Sequence, residues 1–428
     1  MLSIPASAQF NSINDEDPFV VLKNITIIDG TGAEPLPNKT LIIKDNAIYA
    51  IFDSGAGEIP DGSLIMDLSG RYVIPGLIDS HVHLGTFPSS IDSRSGNEEL
   101  LKEALYSGIT SVRDMAGDAR ALASLARDAK VGDIASPDIY YSAVMGGTEF
   151  AKDPRNAAVS RGAVTGEVPW SREITDETDF RQIVAEAKGA GVTGIKIYAD
   201  LPFELVKKLT TEGHRQGLQV WAHAAVLPAS PIEVLEAGVD GISHFTLLYA
   251  TALGEMPGEP LQAMLEGRID DLPMEKLVAD PPSLDRIFEI MKENNVVFDP
   301  TMWISEYSQK YPEEYRRLAC YYINKAEQMG IPQATGTDQM NPSKPKIPLL
   351  KAIEMKVEIC GLTPLHAIRS VTLYGAMAIG NEDIHGSVEM GKKANLVVLG
   401  SDPTENIENL RDVELVFKNG RIYDPGSK

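Results

Sequence analysis

The chain has 428 residues, 43% apolar and 23% charged, which is long enough for a large barrel with a smaller domain beside it. A net charge of −22 argues against a nucleic-acid partner, whose binding needs a basic surface, and against anionic membranes. No apolar run approaches the ~20 residues of a membrane span. Cys320 and Cys360 fit no metal-binding spacing and are expected to be two buried thiols.

Taken in chain order, the first feature is Pro5-Ala6-Ser7-Ala8-Gln9, which has the small-x-small form of an export-signal cleavage site without the apolar core of a leader. The expectation leans toward an exported protein. Segments 20–22, 24–28, 41–43 and 47–51 are apolar and β-branched, and Lys44-Asp45-Asn46 reads as a hairpin turn. From residue 72 to about 383, short apolar strands alternate with stretches of helical periodicity. The strands fall at 72–74, 108–114, 138–142, 194–198, 218–222, 238–242, 296–299 and 334–338. Eight such units predict an α/β fold, a (β/α)8 TIM barrel. The end of the chain returns to β pattern at 395–399 and 413–417, followed by the tight turn Asn419-Gly420. Both ends are expected to form one composite β-sandwich, with domains at 1–72, 73–383 and 384–428. Two connections, 145–179 and 245–283, are far longer than plain loops and leave strands on the face where TIM barrels carry their active sites.

The chemistry gathers at strand ends. In Asp79-Ser80-His81-Val82-His83 the two histidines are two apart on a strand and share a face. Lys196 lies within an apolar strand, where an unpaired charge is costly. His223, His244 and Asp338 each close a strand. Any one of these alone could be a satisfied core residue, a lone histidine being structural more often than not and Asp338 readable as a helix cap; six at strand ends point to a metal site.

These residues sit in motifs that resemble the amidohydrolase superfamily, in its imidazolonepropionase-related and prolidase-like branch. The motifs are Val73-Ile74-Pro75-Gly76-Leu77-Ile78-Asp79-Ser80-His81-Val82-His83, Gly108-Ile109-Thr110-Ser111-Val112-Arg113-Asp114, Gly336-Thr337-Asp338 and Gly386-Ser387-Val388-Glu389-Met390-Gly391-Lys392-Lys393-Ala394-Asn395-Leu396-Val397. The resemblance spans roughly residues 20–423. It implies two divalent metal ions. His81 and His83 would bind the first, with Asp338, and His223 and His244 the second. Lys196, carboxylated by carbon dioxide, would bridge them. Imidazoles and carboxylates suit zinc, and also manganese, iron or cobalt. Imidazolonepropionases bind one metal and lack this lysine, so Lys196 points to the two-metal dipeptidase side. There the sequence departs from pattern. Ile197-Tyr198-Ala199-Asp200 replaces the Gly-rich stretch that often follows the lysine, and Met145-Gly146-Gly147-Thr148-Glu149 carries no histidine after strand three.

Tyr198, two residues beyond Lys196, either donates its hydroxyl to a substrate carbonyl in place of that histidine or packs under the long loop. Lys152, Arg155, Arg161 and Arg172 on the first long connection either hold a substrate carboxylate or are solvated charge. Trp170, Tyr249 and Trp303 line a pocket or pack; His214, His366 and His385 lie away from strand ends and are read as structural. The expected function is metal-dependent hydrolysis of small amides, dipeptides or N-acyl amino acids, with Asp338 shuttling the proton. The rivals are a lactonase or phosphotriesterase, a single-metal deaminase and a catalytically inactive scaffold; retention of all six residues argues against the last. The sequence leaves the oligomeric state open, a homo-oligomer included.

Overall fold

The computed structural model describes residues 19–84, 93–252, 282–307, 310, 312–339 and 347–427. The expected export signal and most of the second long connection lie outside the described residues. No helix among those described is long and apolar enough to cross a membrane.

The chain opens with β1 (Val20–Ile27), β2 (Leu36–Lys44), β3 (Ala47–Asp53), β4 (Leu64–Asp67) and β5 (Tyr72–Pro75). β1 runs antiparallel to β2 and parallel to β4 and β5. The β2–β3 hairpin turns where expected, with Asp45 in the left-handed region at φ 56°. The barrel follows: β6 (Leu77–Val82), β7 (Ile109–Asp114), β8 (Asp138–Gly146), β9 (Glu167–Val168), β10 (Ser171–Glu173), β11 (Gly194–Ile197), β12 (Gln219–His223), β13 (Gly241–Ser243) and β14 (Val297–Asp299). Strands β6, β7, β8, β11, β12, β13 and β14 pair in parallel in that order and make a nearly closed seven-stranded barrel. β6, β7, β11, β13 and β14 are buried along their whole length, as expected of parallel strands covered on both sides. β15 (Leu396–Leu399), β16 (Val413–Lys418) and β17 (Arg421–Tyr423) end the chain.

Two of the eight expected barrel strands are corrected. Residues 72–74 belong to β5, which pairs with β15 in the other sheet, Val73 opposite Val398. Pro75 and Gly76 then turn the chain into β6, and only glycine fits at 76, because a Cβ there would lie 2.1 Å from Thr110 Oγ1. Residues 334–338 form no ladder, yet they close the barrel through single bonds. Ala334 N–H donates to Phe298 O at 2.9 Å, Ser80 N–H to Thr335 O at 3.3 Å and Asp338 N–H to His81 O at 2.8 Å. Gly336 runs too close to β6 for regular strand pairing, as a Cβ there would stand 2.2 Å from His81 Cβ.

The two chain ends build a single eight-stranded sheet in the order β17-β16-β15-β5-β1-β2-β3, with β4 branching from β1. It has its own apolar core, including Leu22, Leu41, Val73, Leu396 and Phe417. A buried ion pair, Lys418 Nζ to Asp138 Oδ1 at 2.8 Å, ties this sheet to the foot of barrel strand β8. The cysteines also depart from expectation: Cys320 and Cys360 form a disulfide. The helix Pro312–Met329 packs so that Cys320 meets Cys360, just beyond the helix Pro348–Glu358, a neighbourhood that spacing along the chain does not reveal.

Candidate metal centre

The side chains at the C-terminal mouth of the barrel converge. His83 Nε2 lies 2.8 Å from Asp338 Oδ1, and His81 Nε2 lies 3.3 Å from the same oxygen. Ligand atoms of His81, His83 and Asp338 all fall within 4.8 Å of one another. The His244 ring is 5.0 Å from that of His81 and 4.7 Å from that of His223. His244 Nδ1 stands 3.9 Å from Asp338 Oδ2. Local backbone bends aim these groups: His244 (φ 75°), Thr301 (φ 47°) and Asp338 (φ 54°) all adopt the left-handed conformation that side chains other than glycine avoid. Such strain persists only where surrounding contacts enforce it.

The electrostatics suit a cation. Burial holds the imidazoles neutral: His81 falls to about 4, His244 to about 3 and His223 well below its ordinary value. Neutral imidazole is the form that ligates metal. Burial opposes ionisation of Asp338, but His81 and His83 outweigh it and hold its carboxyl well below the usual range. Lys196 is 1% exposed, and burial, with Arg113 adding to it, lowers its amine to about 7. Lys196 Nζ and His223 Nδ1 are buried atoms with no hydrogen-bond partner among the described residues. Unpaired polar atoms in a dry interior are costly unless something else satisfies them. The donor set, with its neutral imidazoles, ionised carboxylate and unpaired buried atoms, fits divalent cations.

Around this core, Tyr198 stacks on Phe150 at 4.3 Å and lies 4.0 Å from the His223 ring. Arg155 sits 5.1 Å over the Tyr198 ring, while its Nη2 donates to Asp153 at 2.6 Å. The other basic residues of the first long connection meet local acids: Lys152 pairs with Glu149 and Arg172 with Glu186. Arg161 is exposed, and its backbone carbonyl accepts from Arg120 at 2.8 Å. That connection is an ordered excursion in which β10 pairs with both β8 and β9. Trp170 Nε1 donates to Val159 O at 2.8 Å, inside that excursion. Trp303 Nε1 donates to Gln339 Oε1 at 2.7 Å, beside Asp338. Tyr249 has its backbone in the helix Phe245–Ala252, and its side chain lies outside the described residues. His214, His366 and His385 bond to Asp240, Glu327 and Tyr140, away from the cluster.

Sequence reasoning missed the layer beneath. Asp79 accepts from Thr337 Oγ1 at 2.8 Å and from Thr337 N–H at 3.1 Å, which fixes the turn carrying Asp338. Asp299 accepts from Gly336 N–H at 3.0 Å. Asp299 closes strand β14 as Asp338 closes the next segment, so the same strand-end rule identifies it.

Barrel, composite sheet and histidine-rich strand ends define a protein of the α/β-barrel class with a candidate metal site at its mouth. A model described as the Amidohydrolase family matches residues 72–423, and the chain belongs to that family; it is a hydrolase acting on carbon–nitrogen bonds. Among curated relatives, an ochratoxinase from Aspergillus niger is 25% identical, over 96% of this chain and 87% of its own length. An imidazolonepropionase from Klebsiella pneumoniae is 22% identical, over 90% of each chain. A solved Xaa-Pro dipeptidase with methionine bound in its active site superposes with a TM-score of 0.71 at 23% identity, covering 95% of this chain and all (100%) of that one. At that identity the structural likeness carries the fold.

Proposed function

We propose that the chain is a two-metal amidohydrolase of small amides, with dipeptides and N-acyl amino acids as its substrate class. The observation that supports this best is the approach of His81, His83 and Asp338 within 4.8 Å of one another. The neighbouring His223 and His244 rings and the unpaired Lys196 amine complete the set. In this reading His81, His83 and Asp338 would hold one ion, and His223 and His244 the other. Lys196 would serve both: its amine, uncharged when its proton is lost, would add to carbon dioxide and release a proton, leaving a carbamate with two oxygens. A divalent pair, with zinc among the metals that these donors suit, would supply an activated water and polarise the scissile carbonyl.

The chain's own residues do the rest. Asp338, poised as an ionised carboxylate, takes the proton of the attacking nucleophile and delivers it to the leaving nitrogen. The Tyr198 hydroxyl donates to the carbonyl oxygen as charge develops there; burial, the largest influence, raises its pKa to about 12 and keeps its proton in place. Arg155 receives the substrate's free carboxylate, sharing its guanidinium between that group and Asp153. Arg161 and Trp303 line the approach. The test is hydrolysis of a dipeptide and N-acyl amino acid library by zinc-loaded protein, with metal content measured in parallel. Turnover with two ions per chain supports the reading; no cleavage by fully loaded protein rejects the substrate class.

A further inference from the structure

Strand β14 ends in Asp299-Pro300-Thr301, and this short turn touches both sides of the histidine cluster. Asp299 is 1% exposed, and its two oxygens have different tasks. Oδ1 accepts the backbone N–H of Gly336 at 3.0 Å and of Thr301 at 3.2 Å. Oδ2 faces Ser80 Oγ at 3.2 Å, His81 Nδ1 at 3.4 Å and Arg113 Nη2 at 3.6 Å. Arg113 is otherwise engaged, donating to Ser80 O and Ala378 O at 2.6 Å each. His81 is itself 1% exposed; its Nδ1 is a buried atom with no formed hydrogen bond among the described residues, and the Asp299 carboxylate is the acceptor that faces it. Gly336 is required by this arrangement, since a Cβ would lie 2.4 Å from Asp299 Oδ2. Two residues on, Thr301 Oγ1 lies 2.9 Å from His244 Nδ1. Thr301 is β-branched and held at φ 47°, a conformation such residues rarely adopt, and it places the hydroxyl against that ring.

We propose that the Asp299–Thr301 turn is the positioning element of the metal centre: Asp299 accepts a hydrogen bond from the Nδ1–H of His81 and Thr301 one from that of His244, so both rings present an unprotonated Nε2 to the ions. An imidazole whose far nitrogen donates to a fixed acceptor has one tautomer and one orientation, and it is a stronger ligand for both reasons. One rigid turn thereby sets a ligand of each ion. This inference rests on reading His81 and His244 as ligands. Asp299 and Thr301 touch neither ion nor substrate; they act through the rings.

The decisive variant is Asp299→Asn. The two backbone N–H donors keep the amide oxygen at the Oδ1 position, which turns the NH2 group toward His81 Nδ1. That nitrogen must then accept, and the proton moves to Nε2. Two readouts follow. In metal-free protein labelled with 15N-histidine, the chain's seven histidines include one whose tautomer switches from Nδ1–H to Nε2–H in D299N, assigned to His81 by its loss in H81N. Zinc affinity, measured by chelator competition, falls about 10–100-fold. An unchanged tautomer or an unchanged affinity in D299N overturns the proposal. Thr301→Val, close in shape, removes only the hydroxyl and is expected to weaken zinc binding; if D299N does not fold, wild-type affinity in T301V overturns the proposal instead. Should wild-type protein bind no zinc, the two-metal function fails, and the tautomer comparison alone decides the role of Asp299.

Discussion

His83 Nε2 and Asp338 Oδ1 stand 2.8 Å apart, and the carboxylate also faces His81 and His244. In the proposed reading Asp338 both holds an ion and receives a proton. Asp338→Asn keeps the shape and removes the basicity. Turnover is expected to fall by at least ~10²–10⁴-fold, the usual range for a lost acid–base group. Steady-state kinetics at matched metal content measure this; near-normal turnover would place the proton transfer on another group.

Lys196 gives a second prediction. With 13C-bicarbonate the wild-type protein is expected to show a carbamate carbon resonance that Lys196→Ala lacks, and the variant should retain less metal. Full metal content in K196A would remove the bridging role.

Arg155 lies over Tyr198 while paired with Asp153, so a substrate carboxylate would compete for a guanidinium already in place. Arg155→Ala should raise KM for substrates with a free carboxylate by one to two decades, from the roughly 1.5–3 kcal/mol of a charged hydrogen bond. C-terminal amides should change little. Equal effects on acids and amides would mean that Arg155 only supports Tyr198.

Away from the site, Asp138 and Lys418 form a buried pair at 2.8 Å, and Asn419 Nδ2 donates to the same carboxylate at 2.9 Å. Burial alone would raise the Asp138 pKa, but Lys418 outweighs it and the net direction is down. A depressed carboxylate pKa adds stability above the ordinary aspartate range, and that stability is lost as pH falls through the folded-state value. Asp138→Asn strands a buried ammonium and should cost roughly 3–5 kcal/mol. Thermal melts across acidic pH should show a lower Tm for D138N and a gap that narrows as wild type is acidified; parallel curves would rule out this pair as the source.

The Cys320–Cys360 bond closes a sequence separation of 40 residues. A loop of that size corresponds to about 4 kcal/mol in the chain-entropy description. Cys360→Ser, or reduction of wild type, should lower Tm to a common value. A reduced wild-type protein that melts like the oxidised one would show that packing alone holds these helices.

Much of the candidate site is legible in the sequence, for identifiable reasons. His81 and His83 are two apart on a strand, so their shared face follows from the pleat. Lys196, His223, His244 and Asp338 follow from a single rule, that barrel chemistry sits at strand C-termini. What escaped depends on contacts between distant segments. The alternation in 72–74 shows a strand but not its partner, and the partner is Val398. Segment 334–338 has the composition of a strand, yet it joins the barrel through single bonds and the Asp79 and Asp299 carboxylates. The basic residues of the first long connection suggested a free anion site. The neutralising Glu149 and Asp153 lie three and two residues from Lys152 and Arg155, so part of that pairing was visible in the sequence; Glu186 opposite Arg172 was not.

The pairing of β5 with β15 also bears on how the chain is made. Val73 has no partner on that side until Val398 has left the ribosome. At ~5–20 residues per second the wait is on the order of tens of seconds. For that interval the first five strands present an unfinished edge, the feature most prone to pairing with the wrong chain. The barrel is synthesised in full before its companion sheet is complete. Yield in a cell should therefore respond to translation speed and chaperone supply, and the last strands to emerge set when the nascent chain is safe from its neighbours.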